Sequence, residues 1–324
     1  MKKTLKLFLL SVLFILSFSQ FCAAKEYSRK IFLWRGVKGM ETQLRDTVLY
    51  HFDAVKTDSQ ADSGNKLKTA VIICPGGSYN HLGIKSEGFS TARWFSSKGV
   101  EAFVLRYRVG YNEHHYPDQL EDLEMAILYL RKNADQFGID KNKIGCIGFS
   151  AGGHLVTMAG EFAETCNELS KLGIEAEESL RPDFVMPVYP VVTMDDDIGH
   201  KWSRKSLLGH VYSGPDADAG FSLLNIRGFK YSQSYKDRFS MEKNVPENMP
   251  PVFLLACEDD PVVIFENSVR LDKALTDKNI EHLFVTYPKG GHGFGMQEKS
   301  YIIKTWHWNE KDLWPWLKKI GMVD

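Results

Sequence analysis

Strand-like and helix-like segments alternate along this chain from about Thr47 onward, and this pattern limits the folds open to it. Short apolar runs rich in β-branched residues recur, and most of them are continuous rather than alternating with polar residues. These runs are Val48–Phe52, Ala70–Cys74, Ala102–Tyr107, Lys143–Gly148, Phe184–Tyr189, Val252–Cys257 and His282–Tyr287. Continuous apolar strands are typical of sheets covered on both faces. The alternation therefore predicts an α/β fold with a mainly parallel central sheet and helices on both faces.

The clearest helical pattern begins at Asp118. Its apolar stripe consists of Leu120, Leu123, Ile127 and Leu130. Asp118 and Glu121 have the spacing of a capping box, and Gly138 is expected to close the helical segment.

The length of 324 residues suits one large domain or two small ones. Residues 195–248 interrupt the alternation with a long stretch rich in Gly, Ser and aromatic residues that has no strong period. Such stretches are uncommon in compact domains and often serve as lids or binding walls. No linker separates this stretch from its surroundings, so we expect a single domain over residues 25–324 with a lid-like insertion.

The first residues form a separate segment with the pattern of a secretory signal peptide. A basic start is followed by an apolar run from Leu7 to about Phe18 and a small-x-small end at Cys22 and Ala24. The run is too short to span a bilayer. We expect residues 1–24 to be a leader cleaved after Ala24, and the protein to be secreted or periplasmic. Acylation at Cys22 is the less favoured alternative, because the bulky Phe21 precedes it.

Charge and cysteine content exclude several classes of partner and site. The formal net charge is −1, and removal of the three leader lysines would leave 37 basic and 41 acidic residues, a net charge of −4. This balance gives no general reason to expect nucleic acid or an anionic membrane as a partner. The remaining cysteines, Cys74, Cys146, Cys166 and Cys257, include no C-x-x-C pair, so neither a zinc site nor a disulfide framework is expected. The oligomeric state stays open.

The sharpest local motif is Gly148-Phe-Ser150-Ala-Gly152, a G-x-S-x-G pattern that follows a strand and precedes helix-compatible residues. A serine on such a tight strand-to-helix turn projects its hydroxyl from the end of a sheet, and the glycines leave room for the turn. The motif predicts a nucleophilic serine at Ser150.

A nucleophilic serine needs a base and an orienting acid, and this kind of site places them later in the chain in the order Ser, Asp, His. The paired acids Asp259 and Asp260 follow one strand-like run, and His292 follows the next. All three lie at the carboxyl ends of predicted strands, where open α/β sheets place their sites. His292 is the predicted base, and one of the two aspartates is the predicted acid.

A glycine-rich loop, Pro75-Gly-Gly-Ser-Tyr79, directly follows another predicted strand. Its backbone N–H groups, together with that of Ala151, could stabilise a developing oxyanion. No Gly-Lys-Ser/Thr follows, which argues against a phosphate-binding loop.

With these motifs in place, the chain resembles the α/β-hydrolase esterases of the acetylxylan-esterase and feruloyl-esterase-like group, distant relatives of the prolyl oligopeptidases. The resemblance rests on blocks that cover most of the chain from about residue 70 to 296: CPGGSY with Ser86-Glu-Gly88, Leu105-Arg-Tyr-Arg108, the 117–131 helix, GFSAGGHL, 203–209, EDDPVV with 266–268, and KGGHGFG. It implies the α/β-hydrolase fold, Ser150 as nucleophile, His292 as base, and Gly77, Ser78 and Ala151 as oxyanion donors. By analogy with the oligopeptidases it implies Asp259 as the orienting acid, with Asp260 as the alternative.

Two departures from the family pattern stand out. Ser78 occupies a position where a third glycine is commoner, which keeps the N–H but could alter the loop. The segment 211–237 is longer than usual and rich in aromatic residues. These aromatics, which could line a sugar site or pack a small core of their own, are Tyr212, Phe221, Phe229, Tyr231 and Tyr235.

The expected activity is that of a secreted serine esterase that needs neither metal nor organic cofactor. The resemblance implies an acylated carbohydrate or other small ester as substrate, with acetylated plant polysaccharide such as xylan favoured. One alternative is a serine peptidase of the prolyl-oligopeptidase type, although few residues precede the glycine-rich loop. The other is a non-catalytic carbohydrate-binding protein on a hydrolase scaffold. The adjacent His114 and His115 are not expected to bind a metal, and His154 is expected to be a packing residue.

Overall fold

The computed structural model describes residues 26–40, 47–56, 67–209 and 231–324. The predicted leader and Cys22 lie outside these residues. The described chain forms one eight-stranded sheet with the strand order β1-β2-β4-β3-β5-β6-β7-β8. The strands are β1 (Arg29–Ile31), β2 (Val48–Phe52), β3 (Lys68–Cys74), β4 (Glu101–Arg106), β5 (Ile139–Phe149), β6 (Val185–Val188), β7 (Val252–Cys257) and β8 (His282–Tyr287).

The sheet is mainly parallel. β1 pairs with β2, and β2 with β4, in antiparallel fashion, whereas every pairing from β4 through β3, β5, β6 and β7 to β8 is parallel. The predicted α/β fold is therefore confirmed. The predicted strands agree with the observed ones to within a few residues, except that β5 begins earlier and the short edge strand β1 was not predicted.

Helices connect most of the parallel strands. They are α1 (Ser90–Ser97), α2 (Asp118–Lys132), α3 (Ala134–Phe137), α4 (Ala151–Phe162), α5 (Glu168–Lys171), α6 (Lys201–Leu208), α7 (Gln233–Arg238), α8 (Glu266–Asp277), α9 (Tyr301–Thr305) and α10 (Trp314–Lys319). A π-helical turn, Ile84–Phe89, leads into α1. None of the helices in the described part of the chain is both long and apolar enough to cross a membrane.

The first turn of α2 differs from the predicted capping box. The residue before the helix is Pro117, and no side chain caps it. Asp118 and Glu121 instead form ion pairs with the buried Arg108, which also bonds the fully buried Asp122. The two acids have the spacing of a capping box, but the buried guanidinium of Arg108 is a stronger partner for them than the helix N–H groups. Gly138, in the left-handed conformation, closes the short α3 that follows.

Alternate residues of the strands supply two hydrophobic clusters on opposite faces of the sheet, as strand geometry requires. In β3, Ala70, Ile72 and Cys74 belong to one cluster and Val71 and Ile73 to the other. The first cluster packs under α2 and α4. The second packs under α1 and the C-terminal segment, whose Trp308 and Trp316 are buried against Phe253.

The cysteines in strands are buried thiols: Cys74, Cys146 and Cys257. Cys166 is half-buried, and its thiol donates a hydrogen bond to Glu168 (2.7 Å). Of the predicted insertion, residues 195–209 and 231–248 are described, and they contain α6 and α7. Its role as a lid stays a prediction.

Candidate active site

The parallel strands end at one edge of the sheet, and the predicted chemical groups meet there. The glycine-rich loop follows β3, Ser150 follows β5, and Tyr189 follows β6. Asp260 lies beyond β7 and His292 beyond β8. Because five different strands each deliver one group to this edge, the sheet fixes the distances between them.

Ser150 lies on a strained turn between β5 and α4. Its φ and ψ angles are 54° and −118°, a conformation that non-glycine residues rarely adopt and that costs about 1–3 kcal/mol. The turn is tight enough that a Cβ at Gly148 would lie 2.0 Å from the carbonyl oxygen of Gly152. A Cβ at Gly152 would lie 2.1 Å from the carbonyl oxygen of Cys74 at the end of β3. The two motif glycines therefore allow the turn itself and its contact with the neighbouring loop.

A continuous hydrogen-bonded chain joins Ser150, His292 and Asp260. The distance from Ser150 Oγ to His292 Nε2 is 2.9 Å, and that from His292 Nδ1 to Asp260 Oδ2 is 2.6 Å. The second oxygen of Asp260 accepts hydrogen bonds from the backbone N–H groups of Val262 (2.8 Å) and Val263 (2.9 Å). Because Asp260 is buried, its carboxylate faces the imidazole in a place shielded from solvent.

The resemblance-based prediction that Asp259 orients His292 is wrong. Asp259 is exposed, and its Oδ1 accepts hydrogen bonds from the backbone N–H groups of Gly290 (2.9 Å) and Gly291 (2.8 Å). The two adjacent aspartates lie in a turn that points their side chains apart, so only the buried Asp260 reaches the imidazole. Asp259 holds the backbone of the loop that carries His292.

The glycine-rich loop presents backbone N–H groups beside Ser150. Within the described residues, nothing accepts a hydrogen bond from the backbone N–H groups of Gly77, Ser78 or Ala151. Gly77 has a φ of 135°, and a Cβ there would lie 2.1 Å from the carbonyl oxygen of His81. Ser78 has a φ of 56°, which explains why glycine is easier to accommodate at this position. Ala151 begins α4, where N–H groups lack helical partners and the helix dipole favours negative charge.

Sequence reasoning missed two residues that lie beneath this site. Glu87 is buried, and its carboxylate accepts hydrogen bonds from the backbone N–H of Gly76 (2.7 Å) and the hydroxyl of Tyr189 (2.8 Å). Burial raises the pKa of Glu87, and these two hydrogen bonds and the nearby His292 oppose that rise. The ring of Tyr189 lies 4.7 Å from the ring of His292, centroid to centroid. The Ser-Glu-Gly block was part of the resemblance, but nothing in the sequence showed what Glu87 contacts.

Exposed aromatic groups stand beside the glycine-rich loop. Trp202 in α6 is 52% exposed, and its ring centroid lies 6.0 Å from that of His81. His200 caps the N-terminus of α6 and lies close to His292. Burial and the charge of His292 both lower the pKa of His200. Trp202 thus lies next to His81, whose carbonyl group contacts the glycine-rich loop at Gly77.

The predicted aromatic segment behaves differently where it is described. Tyr235 is buried against Phe239, and the hydroxyl of the half-buried Tyr231 donates to the carbonyl of Gly209 (2.8 Å). Tyr235 belongs to the first hydrophobic cluster of the fold and Tyr231 packs against that cluster, so both join the main core and not a small core of the segment's own. Tyr212, Phe221 and Phe229 lie outside the described residues.

His154 and the paired histidines have protein partners. His154 is buried, and its two ring nitrogens hydrogen-bond the hydroxyl of Tyr79 (2.8 Å) and the carbonyl of Phe239 (2.9 Å). Burial lowers its pKa to about 4, as befits a neutral packing residue. His114 Nδ1 lies 2.6 Å from Asp118, and His115 Nδ1 lies 2.8 Å from the carbonyl oxygen of Ser206.

One group of side chains in the described residues has the donor set of a metal site. Single ligand atoms of His51, Asp53 and Glu101 lie within 4.8 Å of one another. The ammonium group of Lys68 is already paired with Glu101, and it supplies the positive charge that a metal ion would bring. Glu101 begins β4, at the opposite edge of the sheet from Ser150. These residues fit an ion-pair cluster better than a metal centre.

Proteins with this sheet and a nucleophile turn after an inner strand form the α/β-hydrolase class, and the chain folds as one of them. Residues 58–275 match the BD-FAE family, and residues 236–319 match the dienelactone hydrolase family. Because the first match spans more than half of the chain, the chain belongs to the BD-FAE family.

Individual relatives agree with this family. The chain is 28% identical to an acetylxylan esterase of Xylanibacter ruminicola and 33% identical to endo-1,4-β-xylanase B of Butyrivibrio fibrisolvens, over 78% of its own length in both cases. It spans only 45% and 35% of the lengths of these two relatives. Among solved structures, the acetyl ester-xyloside bifunctional hydrolase of Caldicellulosiruptor lactoaceticus is similar with a TM-score of 0.73 and 26% identity, covering 92% of this chain and 98% of that one.

Proposed function

We propose that the chain is a serine carboxylic ester hydrolase. The observation that carries this proposal is the hydrogen-bonded chain from Ser150 through His292 to Asp260, next to three backbone N–H groups that have no acceptor among the described residues. A serine hydroxyl alone is a weak nucleophile, and an adjacent, oriented imidazole is what makes it reactive. Esterases among the relatives support the same chemistry.

In the first half of the reaction, His292 Nε2 takes the proton of Ser150 while Oγ attacks the ester carbonyl carbon. The carbonyl oxygen gains negative charge and is stabilised by the N–H groups of Gly77, Ser78 and Ala151. Each such donor typically contributes a factor of about 10²–10³ in rate. Collapse of the tetrahedral intermediate breaks the ester C–O bond, and the imidazolium returns the proton to the departing alcohol.

In the second half, water attacks the acyl group on Ser150 with His292 again as the base. The carboxylic acid leaves, and Ser150 recovers its proton. Asp260 accepts the Nδ1 proton of His292 in a hydrogen bond throughout, which fixes the tautomer and stabilises the imidazolium in both halves.

For the substrate, we propose an acetyl ester on a xylose-based polysaccharide. The names of the relatives from Xylanibacter and Caldicellulosiruptor support this choice. The exposed ring of Trp202 beside His81 supports it as well, because flat aromatic faces next to a reactive centre suit the apolar face of a sugar ring.

The decisive test compares the wild-type chain with Ser150→Ala. We expect wild type to release p-nitrophenol from p-nitrophenyl acetate and acetate from acetylated xylo-oligosaccharides, and Ser150→Ala to lose turnover while keeping its thermal transition. A fluorophosphonate should add once to wild type and not to the variant, as read by intact mass. Turnover by Ser150→Ala would refute the nucleophile. A wild type that cleaves a proline-containing peptide and no ester would favour the peptidase alternative, and one that cleaves neither would favour a binding protein.

We also propose that the chain is exported by way of residues 1–24. The basic start, short apolar run and small-x-small end support cleavage after Ala24. Expression in a bacterium with an active export pathway should give a mature chain whose N-terminal residue is Lys25. A mature chain that begins at a lipid-modified Cys22 would support the acylated alternative, and an uncleaved chain would contradict both.

A further inference from the structure

A buried two-residue link joins the glycine-rich loop to the loop that carries His292. Glu87 Oε2 accepts a hydrogen bond from the backbone N–H of Gly76 (2.7 Å), directly before the predicted oxyanion donors. Glu87 Oε1 accepts from the hydroxyl of Tyr189 (2.8 Å), and that hydroxyl oxygen accepts from the backbone N–H of Gly295 (2.9 Å). Two side chains thus tie position 76 to position 295.

The two loops also touch directly at this place. A Cβ at Gly295 would lie 2.8 Å from the carbonyl oxygen of Ser86 and 3.3 Å from Cγ of Glu87. The hydrogen-bonded link therefore runs through a close-packed contact, in which neither loop can shift without disturbing the other.

Tyr189 has an unusual backbone conformation and is almost completely buried. Its φ of 38° is unusual for a side chain of this size, and the residue is 1% exposed. Its ring packs against the rings of His292 (4.7 Å) and Phe294 (4.5 Å), centroid to centroid. The same side chain thus supports the imidazole with its face and bonds the loop backbone with its hydroxyl.

A buried carboxyl group is costly, and an apolar residue could fill its volume without that cost. Glu87 nevertheless lies beneath the nucleophile with both oxygens bonded. We propose that Glu87 is a positioning residue, which acts through Tyr189 to hold the oxyanion donors and His292 at a fixed separation around Ser150. This inference rests on the proposed esterase function.

The separation between the oxyanion donors and His292 matters most in the transition state, when negative charge develops on the carbonyl oxygen of the ester. Oxyanion donors and the imidazole stabilise the transition state only when they are in place at the same time, whereas the bound ester in its ground state needs them less. Loss of the link should therefore lower kcat and leave KM nearly unchanged. A residue that only stabilised the fold would change neither quantity per correctly folded molecule.

The experiment uses Glu87→Gln, Tyr189→Phe and the double variant. Glu87→Gln keeps the side-chain shape but replaces one acceptor oxygen by an amide donor, and Tyr189→Phe removes only the hydroxyl. Hydrolysis of p-nitrophenyl acetate is measured per active site, with sites counted by fluorophosphonate titration. We expect each single variant to lose about 10–100-fold in kcat with KM within about twofold of wild type. The double variant should lose little more than either single one, because both break the same link.

Glu124→Gln is the matched control. Glu124 is also a buried glutamate and accepts hydrogen bonds from two backbone N–H groups, those of Glu168 (3.0 Å) and Leu169 (3.2 Å), outside the site. It should change the thermal transition without changing kcat per active site. Full kcat in both single variants, or losses that add in the double variant, would overturn the positioning role. A wild type with no esterase activity would instead refute the proposed function and leave the variants without a reference rate. If Glu87→Gln does not fold, Tyr189→Phe alone decides the matter.

Discussion

Oδ2 of Asp260 lies 2.6 Å from Nδ1 of His292, and the side chain of Asp260 is 1% exposed. Two backbone N–H groups bond its other oxygen, so the carboxylate cannot rotate away from the imidazole. The neighbouring Asp259 bonds only the backbone of the histidine loop. Adjacent carboxylates of the same type thus have separate tasks, and these tasks can be distinguished by substitution.

Asp260→Asn should lower kcat/KM on p-nitrophenyl acetate by about 10³–10⁴-fold, because an amide in this place favours the wrong tautomer of His292. Asp259→Asn should cost less than about tenfold, since its amide oxygen can still accept from Gly290 and Gly291. Steady-state rates of the two variants test this directly. Equal losses, or a larger loss in Asp259→Asn, would contradict the assignment.

Gly77→Ala should lower kcat by at least about 10²-fold and destabilise the protein. The new Cβ would meet the carbonyl oxygen of His81 at 2.1 Å, so the loop has to move and the donors move with it. Gly36→Ala is the matched control, because Gly36 also has a positive φ (81°) but no atom within 4 Å of the new Cβ. The control should cost about 1–2 kcal/mol of stability and little activity. Steady-state rates and denaturant midpoints measure the two effects. A fully active Gly77→Ala would show that the N–H groups of Gly77 and Ser78 do not stabilise the oxyanion.

The lowered pKa of His154 should make the stability of the protein depend on pH. Its pKa is about 4 in the folded protein, below the ordinary value of 6.5, so the unfolded chain takes up its proton first as the pH falls. Its contribution is therefore fully present above about pH 6.5 and is lost as the pH falls towards 4, at up to about 1.4 kcal/mol per pH unit. Denaturant unfolding of wild type and His154→Gln between pH 4 and 8 tests this. Wild type should lose about 2–3 kcal/mol more than the variant over this range, and parallel curves would refute the prediction.

Trp202→Ala tests the proposed role of Trp202 in sugar binding. We expect kcat/KM on an acetylated xylo-oligosaccharide to fall about tenfold, equivalent to about 1.4 kcal/mol, and to fall much less on p-nitrophenyl acetate. Tyr301→Ala is the control, since Tyr301 is similarly exposed (57%) but lies in the C-terminal segment. The ratio of the two specificity constants is the measurement. A ratio that Trp202→Ala leaves unchanged would remove this side chain from the substrate site.

Much of the fold was predictable because the apolar runs are long and the strands are covered on both faces. Val48–Phe52, Val252–Cys257 and His282–Tyr287 were predicted to the residue. Ser150 and His292 were placed together because strand ends of a parallel sheet meet at one edge. The edge strand β1 escaped prediction because three residues, two of them exposed, carry no period.

The choice between Asp259 and Asp260 could not be read from the sequence, because the direction of a side chain in a turn depends on hydrogen bonds made after folding. Glu87 was missed for a related reason. A lone glutamate near the start of a helical segment has the pattern of a surface residue. Its partners at positions 76 and 189 come next to it only when the loops after β3 and β6 meet at the edge of the folded sheet. Local patterns predict which segments form, whereas buried polar partners require the assembled fold.

The contact between Gly295 and the 86–87 backbone has a consequence for how this fold can vary. The glycine-rich loop and the His292 loop are joined by this contact and by hydrogen bonds at Gly76 and Gly295. An extra residue in either loop would break these interactions, so insertions should be tolerated poorly within residues 76–89 and 289–296. Insertions within 195–248 meet no such restraint from this contact. New specificities would then arise more readily by lengthening residues 195–248 than by remodelling the two loops that this contact joins.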